Sequence, residues 1–169
     1  SDVYKRQIYH SRSGHTRRVA QALAGRLDAD LDEIVTRQPR PGAWGLLRCS
    51  LEAVLGLVPA IKHVAHDPSR YRLVLIGTPV WVWSLPGPLR AWARSHPLGD
   101  ARLAFFCTMG GGGGERVFAQ LQAATGRAPE ATLAVTEPQL EAGLDPLLDP
   151  LLDGFVARLA SLPPRPAPG

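Results

Sequence analysis

"YRLVLIGTPVWVWSLPGPLRAWA", residues 71–93, decides the architecture. Within it Leu73 to Ile76 is apolar at every position, so the strand it predicts is covered on both faces. Such a run is typical of a parallel strand with helices packed on each side. The strand leads into a loop carrying Trp81 and Trp83, and then into a helix with Leu89, Trp92 and Ala93 turned inward. Pro79 stiffens the start of the loop, and Pro86 and Pro88 suit the first turn of the helix.

The same strand–loop–helix cadence repeats on either side. Downstream, "LAFFC" (103–107) is a second continuous apolar strand, followed by "TMGGGGGE" and a helix with Val117, Phe118, Leu121 and Ala124 on one side. Upstream, "IYH" (8–10) ends a first strand. The run 14–27 beyond it carries Val19, Leu23 and Leu27 at i, i+4 and i+8, with Ala20 and Ala24 beside them and Arg17, Arg18 and Gln21 opposite. That spacing predicts an amphipathic helix. "LDEIVT" (31–36) predicts a short strand, "RQPRPG" a loop, and Leu47, Leu51, Val54, Leu55 and Val58 a helix stopped by Pro59. "ATLAVT" (131–136) predicts the last strand, and a final helix from about Pro150 shows Leu152, Phe155, Val156 and Leu159. Five strands alternating with helices predict an α/β domain with a mostly parallel sheet.

The bulk properties agree with one such domain. The chain has 169 residues, 45% of them hydrophobic, enough for a single buried core. No apolar run approaches a membrane span, and no secretory core opens the chain. Cys49 and Cys107 are too few and too far apart for a disulfide framework or a thiolate metal site, which makes a reducing cytoplasm the expected compartment. The net charge of +4 is spread over scattered arginines with no dense basic block. No motif of a nucleic-acid module accompanies it, so no nucleic-acid partner is expected. The five histidines show no metal-ligand spacing, and no metal is expected.

A doubly wound sheet binds its ligand outside the carboxyl ends of the strands, where strand order reverses. Three loops of unusual composition fall there: 11–16, 78–84 and 108–114. In "SRSGHT" the hydroxyls of Ser11, Ser13 and Thr16 surround Gly14 at the head of a helix, with no carboxylate among them. A helix N-terminus offers backbone N–H groups and partial positive charge, which suits a phosphate. An ordinary serine N-cap would use the same residues. No lysine follows in the Gly-x-x-x-x-Gly-Lys arrangement, which disfavours a nucleoside triphosphatase. Trp81 and Trp83 could stack on a planar ring or simply cover the sheet edge. The five glycines 110–114 read either as a linker or as a loop whose amides reach a ligand unobstructed by side chains. Cys107 at the strand end reads as a small buried apolar residue, and His15 as the histidine placed to touch an anion.

Taken together these three loops resemble the flavodoxin-like FMN-binding family, of the short-chain flavodoxin type. "SRSGHT" matches that family's phosphate-loop pattern Ser/Thr-x-Ser/Thr-Gly-x-Thr. "YRLVLIGTPVWVWSLPGPLRAWA" resembles its third strand, flavin loop and following helix, and "ARLAFFCTMGGGGGERVFAQL" its fourth strand and glycine loop. The resemblance implies a three-layer, doubly wound fold with a five-stranded parallel sheet in the order 2-1-3-4-5, and one FMN. The phosphate would lie among Ser11, Arg12, Ser13, Gly14, His15 and Thr16. The ring would lie between Thr78, Pro79, Val80, Trp81, Val82, Trp83 and Ser84 on one side and Thr108, Met109, Gly110 and Gly111 on the other. It further implies an FMN-dependent oxidoreductase taking electrons from NAD(P)H to a quinone-like acceptor, or a non-enzymatic electron carrier between partner proteins. No catalytic side chain is assigned. Electron-carrier flavodoxins are usually strongly acidic, whereas this chain is basic.

The likeness spans residues 8–161, with 162–169 expected to be a disordered Pro-rich tail. Residues 1–7 are expected to be a non-native leader, because "DVYKRQ" is the translation of a transposon-end adapter; without Asp2, Lys5 and Arg6 the net charge becomes +3. In the order 2-1-3-4-5 the first strand is central, where Lys5, Arg6 and Gln7 stand in place of apolar residues.

Overall fold

The computed structural model describes residues 5–9, 14–33, 71–96, 98–141 and 148–163. The expected helix at 47–58, the end of the expected strand at 34–36, residues Ser11 to Ser13 and the tail at 164–169 lie outside them. The described strands are β1 (Lys5–Tyr9), β2 (Asp30–Glu33), β3 (Leu73–Pro79), β4 (Arg102–Met109) and β5 (Ala131–Thr136). They form one sheet in the order β2-β1-β3-β4-β5, every neighbouring pair parallel. The expected fold class and strand order are therefore found. Lys5, Arg6 and Gln7 do take positions in the central strand, paired with Leu73, Val74 and Leu75.

Helices α1 (His15–Leu27), α2 (Gly87–Ser95), α3 (Gly114–Thr125), α4 (Glu137–Glu141) and α5 (Asp149–Ala160) complete the described elements. The period-two geometry of β3 and β4 sends alternate side chains to opposite faces. Val74, Ile76, Leu103, Phe105 and Cys107 meet Leu89 and Trp92 of α2 and Val117, Phe118 and Leu121 of α3. Leu73, Leu75, Ala104 and Phe106 meet Val19, Leu23 and Leu27 of α1 and Leu152, Phe155 and Leu159 of α5. Two cores on two faces of one sheet are the reason that these strands had to be apolar throughout. The outer faces of α1 and α5 are tied by Arg26, which donates to Asp149 (2.6 Å) and Asp153 (2.8 Å).

Two strands run further than their apolar runs suggest. β3 continues through Gly77, Thr78 and Pro79, which pair with Phe106, Cys107 and Thr108. A Cβ at Gly77 would overlap the Phe106 ring, the least close of the three ring atoms it meets lying 2.6 Å away. Glycine is required there by close packing of a buried aromatic against the sheet. β4 likewise runs to Met109. Beyond β5 the chain turns at once into α4, a short helix not anticipated from the apolar pattern because only Leu140 of it is buried.

Candidate functional site

The carboxyl ends of β1, β3, β4 and β5 share one rim, and the loops leaving it make specific contacts. Thr108, the penultimate residue of β4, is the centre of these contacts. Its hydroxyl lies 2.8 Å from that of Thr16 in the first turn of α1, and both residues are buried, at 4% and 1% exposure. Its carbonyl accepts the N–H of Val80 at 2.9 Å. One residue thus joins the first, second and third loops predicted from sequence.

The first loop delivers its chain into α1 through Gly14, whose φ of +89° is the left-handed conformation that side chains disfavour. Gly14 is the N-cap, and no side-chain cap bond is made among the described residues. The first intrahelical bond runs from the Arg18 N–H to the Gly14 carbonyl at 3.0 Å, and no acidic residue occupies the first turn. An anion would meet backbone N–H groups of His15 and Thr16 there with no competing carboxylate on the helix. Ser11, Arg12 and Ser13, the other expected phosphate ligands, lie outside the described residues.

The second loop folds back on itself. Trp81 and Ser84 exchange reciprocal backbone hydrogen bonds (3.1 and 2.9 Å), closing a two-residue turn over Val82 and Trp83. Both central residues have positive φ, +48° and +56°. This is the pattern of primed hairpin turns, which normally take Asn-Gly. A β-branched valine in that region is strained, at a cost of about 1–3 kcal/mol. Helix α3 holds the turn: Gln120 Oε1 accepts the Leu85 N–H at 2.6 Å, and the Gln120 amide N–H donates to the Ser84 hydroxyl at 3.1 Å. Val82 and Trp83 are left 56% and 68% exposed at the tip. Thr78 is buried and donates its hydroxyl to the Pro79 carbonyl at 2.8 Å. Pro79, Val80 and Trp81 are half-buried.

The third loop approaches the second closely. Gly113 has φ +94°, and a Cβ on it would lie 3.0 Å from both Val80 Cγ1 and the Trp83 Cα. The end of the glycine run is therefore packed against the hairpin. Gly110 and Gly111 are exposed, Met109 is half-buried, and a Cβ at Gly111 or Gly112 would meet nothing within 4 Å. Cys107 is fully buried beneath this loop. Burial, with the Glu115 charge adding to it, pushes its thiol up to about 12, so it stays protonated and unreactive.

Sequence reasoning missed Glu137. At the start of α4 its carboxylate lies 3.7 Å from His15 Nδ1, and a Cβ on Gly110 would come 3.7 Å from its Oε2. A fourth crossing, after β5, therefore reaches the same rim. The signal available was position: Glu137 directly follows a parallel strand, where doubly wound sheets carry their ligand residues. Among the described residues no cluster of three His, Cys, Asp or Glu could hold a metal ion, and no helix is long and apolar enough to cross a membrane.

Comparison with known proteins places this rim in context. A family model described as flavodoxin matches residues 5–134. Among solved structures, the chain is similar to a flavoprotein from Lactobacillus acidophilus in complex with FMN, at 20% identity and a TM-score of 0.69, over 83% of this chain and 98% of that one. The apo form of the flavoprotein from the same organism matches at 19% identity and a TM-score of 0.62, over 83% and 97%. Oxidised flavodoxin 1 from Bacillus cereus matches at 15% identity and a TM-score of 0.54, over 94% and 99%. At these identities the structures speak for the fold alone. No curated protein sequence matches the chain.

Proposed function

The chain belongs to the flavodoxin family, and from that premise we propose that it binds one FMN at the carboxyl rim of its sheet and works as a redox protein. The observation that carries this reading is the convergence of three loops on Thr108, through the Thr16 hydroxyl and the Val80 N–H. The residues suit the cofactor. Residues Ser11 to Thr16 would hold the phosphate, with Gly14 in a conformation that opens the helix N-terminus to an anion. The Trp81–Ser84 turn and the Thr108–Gly111 segment would hold the ring between them. A bound flavin supplies the electron-accepting ring. The protein's part is to orient it and to present backbone N–H groups to its polar edge.

Two uses of that site remain in view, each favoured by a different feature. Electron exchange with a partner protein is supported best, because the hairpin tip presents Val82 and Trp83 to solvent where a partner would meet them. The oxidoreductase reading, with NAD(P)H as donor and a quinone-like acceptor, is supported by the unobstructed space over Gly111 and Gly112, which would admit a flat molecule. The deciding experiment starts with the visible spectrum of the purified protein and extraction of its chromophore. Yellow protein releasing FMN supports the cofactor assignment; a colourless protein that takes up no added FMN overturns it. NAD(P)H oxidation sustained by an added naphthoquinone identifies the oxidoreductase. Its absence, with two separate midpoint potentials on reductive titration, identifies the carrier.

A further inference from the structure

Helices α2 and α3 lie side by side on one face of the sheet, and a groove of about 170 Å³ runs between them, lined by Arg90, Arg94, Gln120, Ala123 and Ala124. Arg90 and Arg94 are one turn apart on α2, so their guanidinium groups share the same side of that helix. Like charges so placed repel each other, and the arrangement carries no compensation: among the described residues no carboxylate pairs with either. Burial, and then the charge of Arg94, hold the Arg90 guanidinium below its ordinary range, while leaving it charged at neutral pH. Arg90 also reaches the Leu85 carbonyl at 3.4 Å. Arg116, one turn before Gln120 on α3, extends the basic surface towards the rim. Glu115 beside it is exposed and carries the opposite charge.

The groove is continuous with the site. Gln120, on its wall, is the residue that holds Ser84 and Leu85, and Ser84 is the neighbour of exposed Trp83. An exposed Val–Trp tip, with Arg90 reaching the Leu85 carbonyl at the foot of its turn, supplies an apolar point and a cationic neighbour, and Trp and Arg are the residues that most often dominate protein interfaces. A small anion would make no use of the tip.

We propose that the α2–α3 groove, with the Val82–Trp83 tip, docks a carboxylate-rich surface of an electron-exchange partner protein. The proposal rests on the carrier reading given above and assigns its partner: an acidic protein, seated where its approach to the rim is guided by Arg90, Arg94 and Arg116. Opposite charges at this position raise the rate of encounter and fix the orientation of docking.

The test uses the FMN-loaded protein and a rhodamine-labelled peptide of Asp and Glu flanking one Leu, followed by fluorescence anisotropy. Binding that weakens with added salt, and falls about 10-fold in the R90Q/R94Q variant, is the expected result. R94E alone, an exposed position on α2, gives a clear fall without disturbing the core, and R90K/R94K retains most of the binding. FMN affinity is unchanged in all three. Equal binding by wild type and R90Q/R94Q overturns the proposal, as does absence of binding or equal binding of the Asn/Gln version of the peptide. Displacement of the peptide by millimolar inorganic phosphate also overturns it, since that would make the groove a small-anion site. If the protein holds no FMN, the cofactor reading fails, while the same titration on the apoprotein still reports on the groove.

Discussion

The hydrogen bond between Thr16 and Thr108 gives the most direct handle on the site. The two hydroxyls are 92 positions apart in sequence, 2.8 Å apart in space, and buried. Replacing either threonine by valine keeps the shape and removes one hydroxyl, leaving the other buried without its partner. The penalty for such an orphan is about 1–3 kcal/mol, larger than the roughly 1 kcal/mol net worth of the bond itself. Removing both hydroxyls leaves no orphan, so T16V/T108V should be nearly as stable as wild type. A double-mutant cycle by urea unfolding of the apoprotein should therefore give a coupling of about 2–6 kcal/mol, the sum of the two single penalties. FMN affinity, read from quenching of flavin fluorescence, should behave differently. T16V and the double variant should both bind about 10-fold or more weakly, because a hydroxyl proposed to meet the phosphate is lost in each. If the double variant is destabilised by the sum of the singles, the two loops are not joined through this bond and the argument for the site fails.

Three further outcomes follow from the same geometry. Gly77→Ala should cost about 1–3 kcal/mol, because the added methyl displaces the buried Phe106 ring; F106L should recover part of the loss, and a cost below 0.5 kcal/mol would contradict the packing described (estimates from overpacked cores). Cys107, in a C49S background, should resist thiol reagents at pH 8 and react promptly in urea. Because its folded pKa is raised to about 12, the unfolded chain loses this proton first as pH rises above 9.0. The thiol's contribution is therefore present below that pH and is lost between there and 12, a slope that C107A should remove and whose persistence would contradict the assignment. Finally, replacing Lys5, Arg6 and Gln7 by valine or isoleucine in the central strand should raise the melting temperature. A burial penalty of several kcal/mol corresponds to about 5–15 °C for a chain of this size, and equal melting points would refute the leader hypothesis.

Strands β3 and β4 were legible because they are buried on both faces and so carry nearly uninterrupted apolar runs. The order β2-β1-β3-β4-β5 came with the family resemblance, and every pair in it is found parallel. What escaped the pattern were features with no hydrophobic signature. The Trp81–Ser84 turn was invisible because Val-Trp is the opposite of a turn signal; Gln120, 36 residues from Ser84, helps to hold its base. The contribution of Glu137 depends on a short helix with one buried residue. Gly14 shows the reverse case. Its composition left an anion cradle and a serine cap equally open, and what the described backbone adds is that the N-cap is a left-handed glycine.

One helix organises the described part of the rim. The N-cap of α3, Gly113, packs against Val80 and Trp83; about two turns on, Gln120 fixes the strained turn through Ser84 and Leu85; beyond it Ala123 and Ala124 floor the arginine groove. The turn's two left-handed residues cost energy, and the Gln120 contacts from α3 help to hold its shape. Anything that shifts α3 relative to α2 must therefore move both the groove and the wall of the candidate flavin site. A partner seated on Arg90 and Arg94 would press on the same helix that sets the position of Trp83, which makes docking and the environment of the rim physically inseparable.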